Sequence, residues 1–226
     1  MNVHTLFRIL LMASVLTVAS LSVAQEENTE FNEDGLQLVE DSNLALVYAQ
    51  PDTDWGRYSK IYLDDAYVAF KENWQRNYNR DHPDRIRADD MDKIKMELSG
   101  LFRTVFTETL ENGGYQLVLE SGDDVLQIKP AIIGLDVIAP DHVTARATRT
   151  FSESAGEMTL YLELYDSVSG ELLAKALDRK EDRKTGYFEW QNRITNRAAA
   201  RRILQVWANV LKEGLDDARA LASSDS

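Results

Sequence analysis

Hydrophobic and polar positions alternate most regularly between Met158 and Tyr165. Met158, Leu160, Leu162 and Leu164 interleave with Thr159, Tyr161, Glu163 and Tyr165, the period-2 pattern of a strand with two distinct faces. Asp166-Ser167-Val168-Ser169-Gly170 follows. Asp and Ser side chains can bond a turn's own backbone, and Gly170 accepts a positive φ without a Cβ penalty. With Leu172 to Leu177 running back, the stretch predicts a β-hairpin with strands Glu157–Tyr165 and Glu171–Arg179.

Two segments carry the other period. Met91, Ile94, Leu98, Leu101, Phe102, Val105, Phe106 and Leu110 form one apolar stripe at helical spacing and predict a helix over Asp89–Asn112. Asp89 is the expected N-cap, and Gly113-Gly114 the expected stop. Ala199, Ile203, Val206, Trp207, Val210, Leu211 and Leu215 predict a second helix over Asn196–Ala222.

The remaining strands are shorter or irregular. Ser59–Phe70 changes phase at Asp64-Asp65, which predicts a bulge or a break. Tyr115–Leu119 is short. Asp123–Ile138 contains Pro130, which cannot donate to a ladder and places the strand at an edge or at a bulge. Lys71 to Ala88 is polar, with Pro83 and many Asn and Asp residues, and reads as a long connection. Pro140 to Ser154 and Asp178 to Gly186 read as polar loops. The whole predicts an α+β fold of two layers: a mixed, mainly antiparallel sheet with two long helices on one face.

The ends add location. Arg8 followed by the apolar run Ile9 to Leu21 and the small-x-small Ser22-Val23-Ala24 reads as a signal peptide over 1–24, cut before Gln25. The run is too short to span a bilayer comfortably. Residues 25–43 read as a flexible acidic leader, carrying Glu26, Glu27, Glu30, Glu33, Asp34, Glu40 and Asp41 without a basic residue. A single domain over 44–222 and a frayed tail over 223–226 complete the expected division. The chain has no cysteine, hence no disulfide, thiol nucleophile or lipobox for a lipid anchor. A net charge of −13 removes any electrostatic reason to bind nucleic acid or anionic lipid. These features together describe an exported, soluble periplasmic protein of a Gram-negative envelope.

Candidate chemistry is sparse. There is no GxSxG, phosphate-cradling glycine loop or HExxH, so no catalytic residue and no cofactor is assigned. The 71–88 stretch interleaves Trp74 and Tyr78 with Arg76, Arg80, Arg85 and Arg87. Such residues serve as interface anchors, with Trp74, Tyr78 and Arg80 as candidates for contact with a protein or cell-wall component. The other reading makes them buried cover for the sheet edge. A metal-dependent hydrolase is the alternative. Asp81, His82, Asp84, Asp141 and His142 would have to converge on one ion, or Asp64 and Asp65 act as an acid/base pair.

With these residues in view, the chain resembles a bacterial exported family catalogued as domain of unknown function number 3313. The resemblance runs from Tyr58 to Ala218. It rests on YSKIYLDDAYVAF, the DDMDKIKMELSGLFRTVFTETL helix with GGYQLV, VLQIKPAIIGLDVIAP, GEMTLYLELYDSVSGELLAKALDRK and TNRAAARRILQVWANVLK. It implies an envelope protein, often lipid-anchored through a lipobox cysteine. This chain departs there, with Ser22-Val23-Ala24 in its place. The resemblance brings no established activity, so the expected function is that of a non-enzymatic envelope protein that binds another protein or an envelope component.

Overall fold

The computed structural model describes residues 35–83, 85–137, 150–152, 154–183, 189–191 and 193–224. The strands are β1 (Gln37–Leu38), β2 (Leu46–Ala49), β3 (Lys60–Leu63), β4 (Tyr67–Phe70), β5 (Gln116–Val118), β6 (Val125–Val137), β7 (Thr150–Ser152), β8 (Ser154–Asp166), β9 (Leu172–Arg183) and β10 (Glu189–Gln191). The helices are α1 (Trp74–Asp81), α2 (Ala88–Asn112) and α3 (Arg193–Ser224). The main sheet has the order β1-β2-β9-β8-β6-β3-β5, with β4 also paired to β6. Pairings from β1 to β6 are antiparallel; β3 and β4 lie parallel to β6, and β5 parallel to β3. β7 and β10 form a separate antiparallel ribbon. The fold is the α+β class the periodicities predict.

The long hairpin is its axis. Met158, Leu160, Leu162 and Leu164 are buried in the core, while Thr159, Tyr161, Glu163 and Tyr165 are half-buried on the opposite face. There the Tyr161 and Tyr165 hydroxyls each donate to a different oxygen of Glu163, both at 2.7 Å. The turn forms as its residues require. Asp166 Oδ1 accepts from the amides of Val168 (3.0 Å) and Ser169 (2.8 Å), and Gly170 takes φ +71°. Asp166 Oδ2 accepts from the Tyr58 hydroxyl at 2.9 Å, which ties the turn to the chain entering β3. Against the core face, α2 contributes Leu98, Leu101, Phe102, Val105, Phe106 and Leu110, and α3 contributes Ile203, Leu204, Trp207, Leu211 and Leu215.

The phase change at Asp64-Asp65 is a break between two strands. β3 pairs Leu63 with Ile128, and β4 resumes with Tyr67 opposite Ala131. This corrects the expectation for Pro130: β6 lies inside the sheet, and its bulge falls at Gly134, where φ is +62°. The Asp64 amide donates to the Ile128 carbonyl. Alternation then turns the Pro130 backbone nitrogen to the same side, into the gap where neither β3 nor β4 offers an acceptor. Proline is tolerated because its missing donor faces an interruption.

Further expectations change. The polar 71–88 connection contains α1, because its Asn residues tie helix to loop: Gln75 and Asn79 both donate to the Ile86 carbonyl, and the Ile86 amide donates to Asn79 Oδ1 at 2.7 Å. Asp178 to Arg183 continues β9 instead of looping, since Asp178 to Glu181 and Arg183 have ladder partners on β8. The last residues of the expected 140–154 loop form β7 and open β8. The N-cap of α2 is Arg87, whose amide donates to Asp90 at 2.8 Å. Upstream of the expected domain start, β1 pairs with β2 and Leu36 is buried.

Asp178 is a buried carboxylate in the core row of β9. It follows Ala174 and Ala176 and is 4% exposed. Its Oδ2 accepts from Trp207 Nε1 at 2.7 Å, its Oδ1 from the Ala45 amide at 3.1 Å, and Lys180 Nζ lies 3.0 Å away.

Two predictions follow from this packing. Trp207→Phe removes the indole donor and some buried volume while keeping an aromatic ring. Chemical denaturation should show a loss of about 2–4 kcal/mol, because the buried Asp178 carboxylate is left one donor short. A variant within about 0.5 kcal/mol of wild type would show that the contact is energetically idle.

The second concerns pH. The Ser169 amide, opposed by burial and joined by the Tyr58 hydroxyl, holds Asp166 down at about 2. Its folded pKa lies below its unfolded one, so it stabilises the fold above the unfolded value and that contribution fades as pH falls toward about 2. Burial and the Asp166 hydrogen bond push Tyr58 up to about 12, so Tyr58 stabilises below its ordinary value and the gain is lost as pH rises through about 12. Asp166→Asn keeps the turn's shape without the charge. At pH 7 it should cost on the order of 2 kcal/mol, and the gap to wild type should close between about pH 4 and pH 2. A gap independent of pH would mean that the charge contributes nothing.

Candidate functional site

α1 stands at the end of β4 through a column of rings. Phe70, Trp74, Tyr78 and His82 recur every four residues and stack with centroids 4.4, 5.4 and 4.1 Å apart in turn. Trp74 and Tyr78, four apart, share one face of α1, and Phe70 at the end of β4 and His82 just past the helix extend the column at either end. Trp74 is buried, and its Nε1 donates to Asp136 Oδ1 on β6 at 3.1 Å. Trp74 is thus a structural anchor, and Tyr78 is half-buried within the column. Arg80 is exposed and pairs with Asp81 at 2.9 Å, which holds the Asp81 carboxyl below its ordinary value.

Between this column, β4 and the first half of α2 opens a cleft of about 730 Å³. One wall is β4 from Ala66 to Phe70, the end wall is Asn73 to Arg76, and the far wall is Met91, Lys95, Met96 and Ser99 of α2. Among the described residues β4 pairs only with β6, so its other edge faces the cleft. The Lys71 amide donates to the Leu135 carbonyl, which sets the phase: Tyr67 and Ala69 turn their backbone groups to β6, Val68 and Phe70 to the cleft. Tyr67 (66% exposed) and Met96 (69% exposed) flank the opening.

The cleft's charge is one-sided. Its charged lining residues are Lys71, Arg76 and Lys95, with no carboxylate among them. Lys71 Nζ reaches Glu157 at 3.2 Å and Asp136 at 3.5 Å, and Glu157 and Asp136 raise its pKa in that order. Glu157 also accepts from Arg179, the main cause of its lowered pKa, with Lys71 adding to it. Lys95 pairs with Asp92 at 3.1 Å, and Arg76 has no carboxylate partner among the described residues. The site offers unpaired backbone donors and acceptors, apolar side chains and positive charge. A second cavity, about 400 Å³, lies between the sheet and α3, but Leu162, Leu164, Ala176, Leu211 and Leu215 in its lining already belong to the core.

The alternative acid/base and metal sets do not come together among the described residues. Asp64 accepts from Gln127 Nε2 at 2.8 Å, whereas Asp65 turns to Arg103 on α2. His82 Nδ1 lies 3.0 Å from the Tyr78 carbonyl. No group of three or more His, Asp or Glu side chains is placed to hold a metal among the described residues. Asp84, Asp141 and His142 lie outside those residues. The cleft residues that sequence reading passed over are Tyr67, Lys71, Lys95 and Met96. Met96 carried a signal, an apolar side chain between Lys95 and Glu97 on the polar side of the α2 stripe.

Among the described residues no helix is long and apolar enough to cross a membrane. No curated protein matches the sequence. Among solved structures, the PelC dodecamer from Paraburkholderia phytofirmans is similar, at 11% identity and a TM-score of 0.36 over 74% of this chain and 96% of that one. A DUF4136 family protein from Bacteroides thetaiotaomicron is similar at 14% identity and a TM-score of 0.34, over 78% of this chain and 97% of that one. Neither likeness assigns a function here. Residues 27–211, by contrast, match a family described as protein of unknown function, DUF3313, and the chain belongs to that family.

Proposed function

We propose that this is an exported, non-enzymatic protein of the bacterial envelope that binds another polypeptide through the cleft between β4 and α2. The observation that carries the reading is the open edge of β4 beside exposed Tyr67 and Met96. An unpaired strand edge is a template for another chain, and proteins normally cover it or blunt it with charge. Here the edge is flanked by apolar side chains, which marks an interaction site. Residues 1–24 serve as the export signal and 25–43 as an acidic leader; N-terminal sequencing of the exported protein, starting at Gln25, is the matching observation. Of the earlier candidates, Trp74 and Tyr78 support this site by holding α1 in place, and Arg76 joins it in preference to Arg80.

Site-directed photocrosslinking tests the binding reading. A photoreactive residue at Met96, exposed beside the cleft, should capture a discrete protein from envelope extract. The same residue at Val168, which is 60% exposed on the hairpin turn, should capture none. Tyr67→Glu should weaken the Met96 capture without lowering the melting temperature. Equal capture from both positions would place binding elsewhere or nowhere.

A further inference from the structure

We infer that the cleft takes its partner by strand addition, and that the added strand is an extended acidic segment whose alternate side chains are apolar. This rests on the binding reading above and specifies its mode and chemistry.

The backbone sets the mode. A strand that pairs on one side uses every second residue for that pairing, so β4 turns Val68 and Phe70 toward the cleft. An extended segment satisfies these groups as a ladder neighbour does, with main-chain hydrogen bonds giving affinity and side-chain pockets giving specificity. The cleft accepts such a segment lengthwise, because it follows β4 from Ala66 to Phe70 before α1 closes it. A helix laid in the same place would leave the β4 groups unpaired, and unpaired buried amides are costly.

Charge sets the partner. The protein carries −13 overall, yet the charged residues lining this cleft are Lys71, Arg76 and Lys95. The Lys71 and Lys95 charges are partly used by Asp136, Glu157 and Asp92, whereas Arg76 has no carboxylate partner among the described residues. Acidic residues on the incoming segment complement this strip, and basic segments are rejected by it. The apolar requirement comes from Met91, Met96 and Tyr67. Thioether side chains adapt to varied apolar groups, so they set a class of side chain instead of one residue.

The probe is a synthetic heptapeptide, Glu-Val-Glu-Tyr-Glu-Val-Glu, titrated into the full chain with backbone amides followed by NMR. Exchange of the Val68 and Phe70 amides should slow by about tenfold or more, while Tyr67 and Ala69 change little. Replacing each glutamate by lysine should weaken binding by more than about tenfold, and Arg76→Glu in the protein by about fivefold. A peptide N-methylated at alternate amides should lose binding in one of the two methylation phases. Unchanged exchange at Val68 and Phe70, or equal binding of the lysine peptide, overturns the inference. If the peptides fail but the Met96 crosslink still captures a protein, strand addition is wrong and the binding site stands; if both fail, both are wrong.

Discussion

The packing of this protein depends on a carboxylate buried where its neighbours are alanines. Asp178 continues the core row Ala174–Ala176 of β9, at a depth where an unpaired charge is strongly disfavoured. It is tolerated because three donors from separate parts of the chain converge on it: Trp207 from α3, the Ala45 amide before β2, and Lys180 from its own strand. Each donor brings an element with it. α3 is oriented by an indole that must reach β9. The chain entering β2 is held against β9 at the level where their ladder starts, with Leu46 opposite Leu177. A charge that must be satisfied is directional in a way that leucine packing is not, so Asp178 fixes the relative placement of the hairpin, the last helix and the first strands.

A second carboxylate performs the same task at the other end of the hairpin. Asp166 closes its own turn and also receives Tyr58, a residue 108 positions earlier. The turn is therefore a joint between β8–β9 and β3. From there the order of events along the sheet explains the cleft. β3 ends at Leu63, the chain crosses the gap opposite Pro130, and β4 resumes on β6 with no further strand beside it among the described residues. Farther back, β3 is covered by β5. The break at Asp64-Asp65 thus divides one edge of β6 into a stretch whose neighbour is covered and a stretch whose neighbour is open.

The open stretch is kept in shape by devices that themselves lie outside it. The ring column from Phe70 to His82 and the Trp74–Asp136 bond set α1 across the end of β4. The Lys71–Asp136–Glu157–Arg179 network lies where β4, β6, β8 and β9 meet. Its two cations are exposed, so the pairs contribute little individually, since solvent screens them. Their effect is positional: they draw carboxylates to the sheet side of Lys71 and leave the cleft side cationic.

Periodicity made the hairpin, the two long helices and the Asp64-Asp65 break legible, because each is specified by contacts between residues close in sequence or by a face repeated many times. Met158 to Leu164 must bury one face whatever lies opposite, and the α2 stripe likewise. What the sequence could not reveal depends on distant partners. Asp178 to Arg183 is charged enough to read as a loop, and it is a strand because β8 is long enough to pair it. Leu46–Ala49 and Gln37–Leu38 are too short to show a period, and they are strands because β9 leaves an edge for them. α1 was hidden by its Asn residues, whose partner Ile86 lies beyond the helix. The cleft was hidden for the same reason: Tyr67, Arg76 and Met96 belong to three elements, and only the ending of β3 and the docking of α1 bring them around one free edge. Local periods determined the elements and the faces they bury; the pairing of distant polar groups decided which edge was left open.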